Sequence, residues 1–127
     1  MKLEKLKSYL SQYNTYDIEN AKIESVDLSM ADHGVLVLQM RLKGDSWGTI
    51  YGGYSLGYGY VGADSFEGSA KGMESIMRIM DTVGVDRFQD LTGKYIRVIY
   101  TCIGDPINII GNIIEDKWFN IETFYKN

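Results

Sequence analysis

Met73, Ile76, Met77, Met80 and Val83 recur at the spacing of one helical face, the longest such run in this chain. A helix over Ser69–Val83 follows, and everything else must pack around it. Ser69 is a suitable N-cap, because its hydroxyl can accept from an orphan amide of the first turn. Gly84 followed by Val85 has the form of a glycine C-cap with its apolar contact. Gly72 costs on the order of 1 kcal/mol relative to alanine inside a helix. Close packing of the helix on a sheet explains its presence.

The segments around this helix carry the period of strands. Ala21 to Met30 alternates, with Glu24, Val26, Leu28 and Met30 on one face. Ala31-Asp32-His33-Gly34 is turn chemistry. Val35 to Leu42 follows as a half-buried strand, with Leu36, Leu38, Met40 and Leu42 on its apolar side. The two form an antiparallel hairpin. After a turn at Lys43-Gly44-Asp45-Ser46, Trp47 to Leu56 reads as a third strand. Tyr95 to Ile103 and Ile107 to Ile114 read as the fourth and fifth, apolar on both faces and hence central. Trp118, Phe119, Ile121 and Phe124 form a tail that closes the core.

Before the strands, Leu3, Leu6, Leu10 and Tyr13 mark a short amphipathic helix over residues 2–13. It docks on its own domain, serves as an arm for a partner, or lies on a membrane surface, for which its apolar face is small. The expected fold is α+β: a curved antiparallel sheet of about five strands on one central amphipathic helix, plus the N-terminal helix. With 127 residues, the chain forms a single domain, 1–127, whose α+β core spans 18–127.

Chemistry is limited by residue shortage. One histidine, His33, and one cysteine, Cys102, cannot build a usual zinc site. Cys102 falls within a predicted strand, where a thiol behaves as a small hydrophobe. A Cys102–His33 nucleophile pair lacks any neighbouring group to activate it. The carboxylate pairs Asp64/Glu67, Asp86/Asp90 and Glu115/Asp116 border predicted elements and read as solvated turn residues or caps. Gly57-Tyr58-Gly59-Tyr60-Val61-Gly62 has the letters of a dinucleotide fingerprint without its acidic residue or its prompt helix. The expectation is a protein with no catalytic residue, no metal and no cofactor.

Charge narrows the partners. Thirteen basic and 17 acidic side chains give a net charge of −4, which does not suit a protein that holds duplex DNA. A lone cysteine fits a reducing compartment. Met1 to Lys7 alternates charge with leucine and lacks the apolar run of a signal peptide. No apolar stretch is long enough to span a bilayer. The cytoplasm is the expected location.

One segment exceeds what a core requires. Ser46 to Ala63 is uncharged and interleaves six glycines with Trp47, Tyr51, Tyr54, Tyr58 and Tyr60. Such rings stack on bases and equally dominate protein-binding surfaces. Strand-face packing with glycines at bulges is the alternative reading. The candidate ligand-binding set is Trp47, Tyr51, Tyr54 and Tyr58 for stacking, with Lys71 and Arg97 for phosphate.

Trp47-Gly48-Thr49-Ile50-Tyr51-Gly52-Gly53-Tyr54, Gly72-Met73-Glu74-Ser75-Ile76, Val83-Gly84-Val85, Leu91-Thr92-Gly93-Lys94-Tyr95-Ile96-Arg97-Val98 and the run Ile110–Phe119 resemble a family of small uncharacterised proteins of phages and prophages, notably of gut Firmicutes. The resemblance covers about Ile18 to Phe119 and carries no functional residue across. It implies a bacterial host cell and an accessory role, often counter-defence. The expected function is therefore a non-enzymatic binding protein that sequesters a nucleotide immune signal. The alternatives are an inhibitor that binds a host defence nuclease, and a factor for single-stranded nucleic acid. An exposed edge strand would also allow a homodimer or higher oligomer.

Overall fold

Ser69 caps the central helix as its chemistry requires: its hydroxyl accepts from the Gly72 amide at 2.9 Å. The helix, α2, runs Ala70–Val83. Gly84 ends it with φ of 93°, and the amides of Gly84 and Val85 both return to the Met80 carbonyl. The computed structural model describes residues 1–59, 65–102 and 104–127. The end of the glycine–aromatic segment (60–63), Asp64 of the first carboxylate pair and Ile103 lie outside the described residues.

The sheet is antiparallel throughout and larger than expected, with seven strands rather than about five. They are β1 (Asp17–Asp32), β2 (Val35–Lys43), β3 (Gly48–Gly59), β4 (Phe66–Gly68), β5 (Tyr95–Tyr100), β6 (Ile109–Gly111) and β7 (Trp118–Asn120), in the spatial order β4-β3-β2-β1-β5-β6-β7. The two extra strands, β4 and β7, are three-residue pieces at the edges, too short for a period to register in the sequence. Met1 lies along β7, exchanging two backbone hydrogen bonds with Trp118 at 2.8 and 2.7 Å. A 3-10 turn (Leu3–Leu6) leads into α1 (Lys7–Leu10), and α3 (Ile121–Lys126) ends the chain.

His33 and Gly34 join β1 to β2 with φ of 53° and 82°, as a two-residue hairpin of the primed type needs. The β1 face departs from the expected alternation. Ala21 and Ile23 are buried, Glu24 is exposed, and Leu28 and Met30 are largely exposed. A bulge interrupts the strand there: Ile23 pairs with Leu42 but Ser25 pairs with Arg41, so Glu24 has no partner. One inserted residue exchanges the two faces beyond it, so Val26 and Leu28, opposite buried Met40 and Leu38, share the side of Ala21 and Ile23. β5 stops at Tyr100, so Cys102 is exposed beyond the strand and is not the core residue its sequence context suggested.

α2 also buries a different stripe from the one expected. Gly72, Ser75, Ile79 and Thr82 face the sheet, while Met73 and Met77 are 62% and 64% exposed. Ile76, Met80 and Val83 pack at the margin of the core. Small residues bring the helix close: a Cβ on Gly72 would lie 2.6 Å from the Leu56 Cα. The expected reason for Gly72 is thus what the packing shows. The core between α2 and the sheet includes Ile23, Leu38, Met40, Leu42, Tyr51, Ile96, Val98 and Ile110.

The opposite face of the sheet has a smaller cover. Leu6 and Leu10 pack there on Ile99, Ile109 and Trp118, so the N-terminal segment docks on its own domain. The helical part is shorter than the predicted 2–13, ending at Leu10. This cover reaches only the β5–β6–β7 end of the sheet.

Candidate functional site

The face left open over β1 and β2 carries the least ordinary arrangement of charge. Lys22 lies between buried Ala21 and Ile23, so its side chain takes the side away from α2. Lys43 follows buried Leu42 and takes the same side. In the ladder Lys22 pairs with Lys43, and Tyr95 pairs with Lys22 from β5. Direct cross-strand partners have Cβ atoms about 5 Å apart, and like charges so placed repel. Arg41, one pleat along β2, adds a third cation. Arg41 and Lys43 make no hydrogen bond or ion pair among the described residues. The nearest carboxylates in the register are Glu24 in the bulge and Asp27 opposite Gln39.

Tyr95 is 59% exposed, and the Lys22 ammonium lies 6.0 Å from its ring centroid. Beside it opens a cavity of about 650 Å³, lined by Asn20, Gly84, Gly93, Lys94, Tyr95 and Ile113 among others. An exposed ring and a row of cations therefore meet at one end of this face, and the recess beside the ring runs round the end of the sheet to Val83 and Gly84 at the end of α2. None of Lys22, Arg41, Lys43 and Tyr95 stands out in the sequence. Their only signal is a position alternating with buried residues, and their adjacency needs the register.

The predicted ligand-binding residues do not converge. Tyr51 is 1% exposed, in the core between sheet and α2, where no ligand can stack on it. Its hydroxyl has no hydrogen-bond partner, and burial holds its pKa well above the usual tyrosine value. Tyr54 stacks on Tyr125 with ring centroids 4.5 Å apart. Tyr58 is exposed and donates to Glu67 at 2.7 Å, joining β3 to β4. Lys71 donates to the Asn127 carbonyl and lies over the Phe124 ring.

Arg97 is on the open side but is committed to the fold. Its Nε donates to the Asn112 carbonyl at 2.8 Å and its Nη2 to the Glu115 carbonyl at 2.7 Å. Its guanidinium also stacks 4.6 Å from the Trp118 ring centroid. Trp47 stands on the other side of the sheet, its indole N–H donating to Glu19 at 3.0 Å. Among the described residues of the glycine–aromatic segment, Tyr51 and Tyr54 are engaged in packing, and bulges interrupt the β2–β3 register at Leu36/Val37 and Val37/Gln39. At Gly52, φ is 99° and a Cβ would meet the Leu38 carbonyl oxygen at 2.5 Å, which excludes any other residue without a backbone shift.

Cys102 and His33 cannot act together. Cys102 follows Tyr100, which pairs with the first residue of β1, and His33 follows the last residue of that 16-residue strand. At about 3.3 Å per residue they stand roughly 50 Å apart. Among the described residues no group of three or more His, Cys, Asp or Glu is placed to hold a metal ion, and no helix is long and apolar enough to cross a membrane.

No family model matches the chain, and neither a curated protein nor a solved structure matches it.

Proposed function

We propose that this chain is a non-enzymatic phage or prophage accessory protein that captures a nucleotide-type anion on the open face of its sheet. In this reading it acts in the cytoplasm of the bacterial host and withdraws a nucleotide signal of host defence. The observation that carries the binding is the Lys22–Lys43 pair, two like charges set opposite each other beside Arg41 and exposed Tyr95. A fold gains nothing from that repulsion, whereas an anion seated between the ammonium groups relieves it. Tyr95 supplies a face for a base. The defence context rests on the resemblance to small phage and prophage proteins.

The site proposed differs from the one expected. Lys71 and Arg97 are each tied to backbone carbonyls and an aromatic ring, away from the Lys22–Lys43 pair, so Lys22, Arg41, Lys43 and Tyr95 take the phosphate and stacking roles. The test is a thermal-shift screen with cyclic oligonucleotides, NAD-derived cyclic molecules and short single DNA and RNA strands at low and high salt. A concentration-dependent rise in melting temperature with a cyclic molecule, lost in Lys22→Glu, supports signal capture. Binding confined to strands and steeply weakened by salt moves the same chemistry to a single-strand factor. No rise with any of them sinks the proposal. Native mass spectrometry then decides between an oligomer and a stoichiometric host protein, the mark of a nuclease inhibitor.

A further inference from the structure

We propose a second, independent binding site on the α2 side of the sheet, for an organic cation: an ammonium or guanidinium group. Trp47, Tyr100, Asp105 and Pro106 help line a cavity of about 350 Å³ between the start of β3 and the chain that links β5 to β6. The Trp47 and Tyr100 ring centroids are 6.0 Å apart and the rings are tilted by 39°, so the two aromatics form one patch of the wall. The face of either ring attracts a cation placed within about 6 Å of its centroid.

The charges around the cavity favour the same ligand. Asp105 is part of its wall, held by a hydrogen bond from the Thr101 hydroxyl at 3.2 Å. Glu19 fixes the Trp47 indole, and Asp17 pairs directly with Tyr100 in the ladder. None of these three carboxylates makes an ion pair among the described residues, and no lysine or arginine lines the cavity. A phosphate would be repelled here. The volume is near the lower end for ligand pockets, on the order of 300–1,000 Å³, which suits one head group and not a nucleotide. The cation comes either as a free amine or as a side chain of a partner protein.

The two tryptophans make the test internally controlled. In ¹⁵N–¹H spectra of the full chain, the Trp47 indole reports the cavity. Trp118, whose indole donates to Asp116, reports the opposite face of the sheet. The probes are choline, N-acetyl-arginine amide and the uncharged choline isostere 3,3-dimethylbutanol. A saturable shift of the Trp47 signal with a cationic probe, Trp118 unmoved, supports the site. Asp105→Asn should weaken that binding about two- to fivefold, the loss expected for one partly screened charge. Choline alone indicates a free amine, and the arginine derivative alone indicates a partner side chain. An equal shift with the uncharged isostere, or no saturable shift, overturns the proposal. Because the site shares no residue with the open face, its failure leaves the anion reading untouched.

Discussion

Lys22 of β1 and Lys43 of β2 are direct cross-strand partners on the open face of the sheet, with no carboxylate between them in the ladder. This places a local excess of positive charge on a protein whose net charge is −4. Overall charge therefore understates what one face can attract, since exposed charges act over roughly 10 Å at moderate salt.

Lys43→Glu converts the repelling pair into an attracting one. The folded state should gain about 0.2–1 kcal/mol. Urea unfolding measures this as a higher midpoint at unchanged slope. The same variant should lose the anion-induced rise in melting temperature. A gain in stability together with a loss of binding is the signature expected of a residue kept for a ligand. A loss of stability would show that Lys43 has a structural role on this face.

Gly72→Ala should destabilise, against the ordinary rule for helices. Alanine improves helix propensity by about 1 kcal/mol. Here its Cβ would lie 2.6 Å from the Leu56 Cα, and the Leu56 backbone cannot give way cheaply. Overpacking of this kind costs about 1–3 kcal/mol, so a net loss is expected in chemical denaturation.

Tyr51 governs the alkaline limb of stability. Its hydroxyl is buried without a partner, and burial raises its pKa well above 10.0. A neutral acid whose folded pKa is raised contributes stability that is complete below its unfolded pKa and is lost as pH rises above it. Stability should therefore decline from about pH 10 upward, as the phenol ionises in the unfolded chain only. Tyr51→Phe should flatten that decline and leave neutral-pH stability equal or up to about 1 kcal/mol higher. Denaturation curves at a series of pH values check both. Tyr9 and Tyr54, also shifted upward chiefly by burial, add to the slope in the same direction.

Asn112→Ala should cost about 2–4 kcal/mol, because this one buried side chain serves two elements. Its amide donates to the Thr82 and Val83 carbonyls at the end of α2. Its oxygen accepts from the Ile114 and Glu115 amides in the turn before β7. Amide exchange should rise at Ile114 and Glu115 together with the last turn of α2. Exchange confined to one of the two elements would show that they are not coupled.

Much of the architecture was legible where a signal is local. Ser69 and Gly84 bound α2 because capping acts within one turn of the chain. His33-Gly34 closes the first hairpin because positive φ is a property of the residues in the turn. Leu38, Met40 and Leu42 are buried in alternation as β2 predicts.

What the sequence by itself determined was the order of the elements and their punctuation, since helix caps, turns and apolar periods depend on near neighbours. Only the tertiary structure decided which faces those elements present. The Glu24 bulge brought Val26 and Leu28 to the side of Ala21 and Ile23, and close approach at Gly72 turned Met73 and Met77 outward. Packing buried Tyr51 and bound Arg97 to two carbonyls, removing both from the candidate site. It set Lys22 beside Lys43 and Tyr95, three residues far apart in the chain. Strand register, which is the sum of many distant pairings, is the physical quantity that makes them neighbours.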